Sequence, residues 1–207
     1  MSDRHFGLMG YVDLQLGQDL GPRVDSGLAD AGFSRGASAG AYADASGRSV
    51  RCSWGGPTGS RWPDSLPAWA VFPIDYDTYE AYGAAVFVSV FRALCRATTP
   101  ILARSFHPIG VDMIHQSELD GKVDYVDWIQ YYGPRVAAAI GPDRIRAAGF
   151  HQLEEFPDGS VLAMAKAHYI DDFPNRKTIV DTLGLTPRSI FARNPKTGEP
   201  MKINWCR

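Results

Sequence analysis

The sequence predicts an α+β fold in which antiparallel hairpins pack with helices. Three observations predict it. Each hairpin signal is short-range, a few turn residues between two extended segments. A strand-helix-hairpin order occurs twice, and no repeated strand-crossover-strand pattern asks for a parallel sheet. With 45% hydrophobic and 12% aromatic residues, a chain of 207 buries a substantial core, which excludes disorder. The expected organisation is a single domain over residues 1–207. Within it, residues 1–56 and 102–185 form a pseudo-repeat, joined by a connecting loop and helix over 57–101.

Residues 6–16 alternate partly, as a strand does, and residues 21–31 read as a short helix with Pro22 near its first turn. Residues 38–44 and 48–54 flank Ala45-Ser46-Gly47, where glycine supplies a left-handed position, so they form a hairpin. Between Trp54 and Pro67, glycines and prolines oppose regular structure and end the first unit. A helix over 77–97 follows, with Asp77 and Thr78 as caps and Tyr79, Tyr82, Val86, Val90 and Leu94 near one face. Its AAVFVSVF centre also reads as a buried strand. Residues 102–114 are extended, and residues 124–148 are helical with breaks at Pro134 and Pro142. Residues 150–155 and 160–170 make a second hairpin, closed by Phe156-Pro157-Asp158-Gly159.

Both units share a fragment. Gly21-Pro22-Arg23-Val24 leads to Ala31-Gly32-Phe33, and Gly133-Pro134-Arg135-Val136 leads to Ala148-Gly149-Phe150, each before an expected hairpin. Duplication accounts for this. So does the frequency of Gly-Pro as a helix opening.

Charge bears on partners. The net charge is −2, distributed as −1 over residues 1–110, −6 over 111–175 and +5 over 176–207. Such a balance lacks the basic excess of a nucleic-acid coat or a polybasic membrane binder. The tail residues Arg188, Arg193, Lys196, Lys202 and Arg207 have the form of a basic hairpin or arm, for which self-docking onto the acidic block competes with phosphate contact. Nucleic acid is therefore the weaker expectation. No secretory leader or membrane-crossing run is legible, and Cys52, Cys95 and Cys206 stand far apart without a CxxC pair, so a cytoplasmic chain with free thiols is expected.

Catalytic motifs are not legible: there is no GxSxG, no GxxxxGK and no GxGxxG after a strand. His107, Asp112, His115 and Glu118 form the richest polar segment and provide an alternative, a small metal-dependent hydrolase or lyase. Their spacing matches no zinc motif of defined geometry, and on an unbroken strand the two histidines would stand about 26 Å apart, at about 3.3 Å per residue. His151 and His168 fall on the two strands of the second hairpin, close to paired across it. No cofactor is implied.

A second cluster joins Glu118, Asp120, Asp124 and Asp127 to Trp128, Tyr131 and Tyr132. On a helix these aromatics fall at i, i+3 and i+4 and define one face, and Asp124 stands where it would cap that helix. Aromatics supply contact area at low entropy cost, and carboxylates steer basic partners, so this is also a candidate docking surface.

Residues 125–185 carry Trp128-Ile129-Gln130-Tyr131-Tyr132-Gly133-Pro134, a short helix, Leu153-Glu154-Glu155-Phe156-Pro157-Asp158-Gly159, and a final helix. This order resembles the bacterial immunity proteins of polymorphic-toxin and type VI secretion systems. The resemblance implies a non-enzymatic, cytoplasmic α+β protein that binds and blocks a cognate toxin. For that role Glu118, Asp120, Asp124, Asp127, Tyr131 and Tyr132 are the expected contact residues.

Overall fold

Along residues 7–12, 102–105, 129–132 and 161–165, successive side chains point to opposite faces of a sheet, and both faces are buried. This double burial organises the protein. The computed structural model describes residues 7–12, 19–54, 69–72, 82–106, 126–169, 171–184, 190–193 and 200–203. Its elements are β1 (Gly7–Tyr11), α1 (Leu20–Asp30), β2 (Phe33–Arg35), β3 (Ala41–Asp44), β4 (Ser49–Trp54), β5 (Trp69–Phe72), α2 (Ala84–Thr98) and β6 (Leu102–Phe106). There follow β7 (Ile129–Tyr132), α3 (Pro134–Ile140), α4 (Pro142–Ala147), β8 (Gln152–Glu155), β9 (Val161–Met164), α5 (Arg176–Leu183), β10 (Ile190–Arg193) and β11 (Pro200–Ile203). The α+β class is as the sequence predicts.

Among the described residues nine strands form one sheet in the order β2-β3-β4-β5-β1-β6-β7-β9-β8, and every neighbouring pair is antiparallel. One face buries Leu8, Val50, Cys52, Ala103, Ile129, Tyr131 and Leu162 under α1 and α2. The other buries Met9, Tyr11, Leu102, Tyr132, Val161 and Ala163 under α3, α4 and α5. Towards β4 the second face opens to solvent, and Ser49, Arg51 and Ser53 alternate there with buried Val50 and Cys52. Strands β10 and β11 pair separately as a two-stranded ribbon, Ile190 opposite Ile203.

Local chemistry sets the boundaries. Asp19 caps α1 by accepting from the Gly21 amide, and Val24 and Leu28 fall on its buried face. Where α1 crosses α2, a Cβ on Gly27 would lie 3.1 Å from the Ala93 carbonyl oxygen and 3.2 Å from the Leu94 Cα, so glycine permits the close approach. Two turns use one device. Asp44 accepts from the Ser46 and Arg48 amides beneath the β3–β4 turn, and Asp158 accepts from the Ser160 amide beneath the β8–β9 turn. Burial raises the Asp44 carboxyl, but the hydrogen bonds from Ser46 and Arg48 outweigh it and leave its pKa at about 2.

Several expectations change. Residues 129–132 are a strand, not helix: the helix over 124–148 reduces to α3 and α4, each with a proline at its first turn. Residues 57–101 contribute β5 to the sheet as well as a helix, and that helix, α2, starts at Ala84 with Gly83 as its N-cap at φ +74°, while the expected caps Asp77 and Thr78 lie outside the described residues. The shared fragments agree at the helix exit, where Gly32 and Gly149 both adopt positive φ. At the helix entry they part: Gly133 is the N-cap of α3, whereas Gly21 lies inside α1. His151 is not opposite His168. The register pairs Gln152 with Met164, and His168 lies beyond the end of β9.

Candidate functional site

At the end of β9 the chain leaves the sheet and wraps around one lysine. The Ala165 amide donates to the Trp128 carbonyl at 2.8 Å, and the Trp128 indole Nε1 donates to the Lys166 carbonyl at 3.1 Å. Trp128 is 2% exposed, so this anchor is fixed in the core. From there Lys166 reaches back over its own loop, donating from Nζ to the carbonyl oxygens of Tyr169 at 2.5 Å and Asp171 at 2.7 Å. Its ammonium lies 5.6 Å from the Tyr169 ring centroid and 5.8 Å from that of Phe173.

Three carboxylates act electrostatically on this centre. Asp171 and Asp172 are exposed and Asp127 is half-buried. Burial lowers the Lys166 pKa, helped by the positive charge of Arg176, while the negative charges of Asp171, Asp127 and Asp172 act in the opposite sense. The His168 amide donates to the Asp171 carboxylate at 2.9 Å, and the Asp171 amide returns to the His168 carbonyl at 3.2 Å. Asn175 ties the far side of the loop to the Gly149 carbonyl at 3.0 Å. Chemically, the amine holds the backbone and the carboxylates of Asp171 and Asp172 face solvent.

The sequence-derived contact residues divide three ways. Asp127 acts electrostatically on Lys166, and its backbone is fixed by hydrogen bonds to and from the Gln130 side chain. Tyr131 and Tyr132 are 2% and 0% exposed and point to opposite faces of the sheet, one into each core. They are packing residues, because strand alternation, not a helical stripe, directs them. Burial accordingly pushes the Tyr131 phenol up to about 12. Glu118, Asp120 and Asp124 lie outside the described residues, as do His107, Asp112 and His115 of the metal alternative. Among the described residues no group of three or more His, Cys, Asp or Glu side chains is placed to hold a metal ion.

The other acids of the −6 block are engaged in structure. Arg92 on α2 donates to Glu154 at 2.6 Å, and Arg146 bridges Glu155 and Asp143, each at 2.7 Å. Sequence reasoning missed Lys166, Tyr169, Asp171, Asp172 and Phe173. The available signal was the run of Lys, Tyr, two aspartates and Phe within residues 166–173, which has no periodicity.

Neither any protein-family model nor any curated protein matches the chain. No helix among the described residues is long and apolar enough to cross a membrane.

Proposed function

We propose that this chain is an immunity-type binding protein that neutralises a cognate protein toxin by occlusion, and that it meets the toxin through the 165–173 loop and Asp127. One observation carries the reading: Asp171 and Asp172 are displayed beside the half-buried rings of Tyr169 and Phe173 on a loop already held by Lys166. Aromatic rings in a preordered loop give contact area without the ordering cost that weakens flexible interfaces. Exposed carboxylates steer a basic cleft, of the kind a nuclease-type toxin carries, and raise the association rate. The resemblance of residues 125–185 to immunity proteins supports the same role.

The test is co-expression with candidate toxins encoded beside this gene. Wild type should restore growth, and an Asp171→Lys, Asp172→Lys double variant that folds normally should not. Equal protection by the double variant would refute the loop as the contact surface. No protection from any neighbouring product, together with small-molecule turnover by the purified protein, would refute the binding role.

A further inference from the structure

We propose that Lys166 is the positioning residue of this docking loop: an internal cation whose amine gathers the Tyr169 and Asp171 carbonyls and so sets where the Asp171 and Asp172 carboxylates stand. The inference rests on the docking role proposed above, but its structural half is tested without a partner. Lys166 is held at both ends, its carbonyl by Trp128 Nε1 at 3.1 Å and its ammonium by the two loop carbonyls at 2.5 and 2.7 Å. Hydrogen bonds from a charged donor are the strong class, and a half-buried ammonium without them would be costly. The charge has a second effect. The charges of Asp127, Asp171 and Asp172 all act on the Lys166 amine, and Lys166, with Arg176 nearby, offsets their mutual repulsion.

Electrostatics and positioning predict opposite signs, which makes the test sharp. Lys166→Met deletes a positive charge, so a purely electrostatic patch would attract a basic probe more strongly. If Lys166 positions the loop, the same variant should bind that probe more weakly. Lys177→Met is the control, because Lys177 is exposed on α5 and pairs with Asp181 outside the loop. The probe is a deca-arginine peptide at low ionic strength.

Amide hydrogen exchange over residues 167–173 should accelerate about tenfold or more in Lys166→Met, equivalent to about 1.4 kcal/mol, while β9 and α5 keep their protection. Deca-arginine should bind Lys166→Met more weakly than wild type, and Lys177→Met at least as tightly. If Lys166→Met loses protection globally, Lys166→Gln takes its place: it also withdraws the charged donor from the Tyr169 and Asp171 carbonyls, and exchange over residues 167–173 should accelerate likewise. Unchanged exchange in the folded variants overturns the ordering role. Faster exchange with tighter probe binding by Lys166→Met overturns positioning for docking, and leaves the co-expression test above to decide the docking role itself.

Discussion

Gly133→Ala should be among the most damaging single-methyl additions in this protein, although its backbone conformation suits alanine. Gly133 has φ −62° and ψ 165°, an ordinary extended geometry, so no torsional penalty applies. The penalty is steric. A Cβ there would stand 2.5 Å from the Pro100 carbonyl oxygen and 2.7 Å from that of Ile101, and the Gly133 amide donates to the Ile101 oxygen at 2.9 Å. Both obstacles are backbone, so relief means pulling the β7–α3 junction away from the segment before β6. Overpacking of this kind costs about 1–3 kcal/mol, and the lack of any side chain that can rotate aside puts Gly133→Ala near about 3 kcal/mol. At about 2–4 °C per kcal/mol for a domain of this size, the melting temperature should fall by about 6–12 °C. The matching glycine of the shared fragment is the control. A Cβ on Gly21 would meet the Asp19 carboxylate and the Trp54 indole nitrogen at 3.4 Å each, ordinary contact, so Gly21→Ala should stay within about 1 kcal/mol of wild type. Thermal melts and urea midpoints followed by circular dichroism measure both. Equal losses in the two variants, or a Gly133→Ala midpoint indistinguishable from wild type, would refute the reasoning.

Acid should expose the β3–β4 turn. The folded pKa of Asp44 is depressed to about 2, so its contribution is fully present above the ordinary carboxylate value and is lost as pH falls through that range to about 2. The melting temperature of wild type should therefore drop more steeply over this window than that of Asp44→Asn, measured as paired melts. Trp128→Phe keeps a ring in the core but removes the donor to the Lys166 carbonyl, and should lower stability by about 1–3 kcal/mol in urea titrations. Burial pushes the Cys52 thiol up to about 12, helped by the charge of Asp25, and burial alone raises Cys95 well above the normal range. In a Cys206→Ser background, a thiol reagent at neutral pH should label both only at the rate of global unfolding, and rapid labelling of native protein would contradict this.

What was legible in the sequence was local. The hairpin over Phe156-Pro157-Asp158-Gly159 forms because proline, an Asx-type acceptor and a glycine at φ +84° each fix one part of a tight turn. The exit of α1 at Gly32 is equally local. Strand β7 was not legible, because a strand buried on both faces lacks the polar alternation of a surface strand, and Trp128, Tyr131 and Tyr132 at helical spacing mimic an amphipathic face. Its Ile and Tyr content and the Gly-Pro that follows favour a strand, a weaker signal than periodicity. The acidic cluster was visible as composition, but its partition was not. Which carboxylates are neutralised depends on long-range pairs such as Arg92 with Glu154, 62 positions apart. Lys166 was invisible for a related reason, since its ligands are backbone carbonyls that any sequence supplies.

The most direct test of the docking account is a hydrogen-exchange footprint of this chain with and without a toxin that the co-expression test identifies as its partner. Residues 166–173 and the Asp127–Trp128 segment should gain protection in the complex, with the β3–β4 hairpin unchanged. Protection confined to residues 41–54, with the Lys166 loop exchanging as in the unbound chain, would contradict the account.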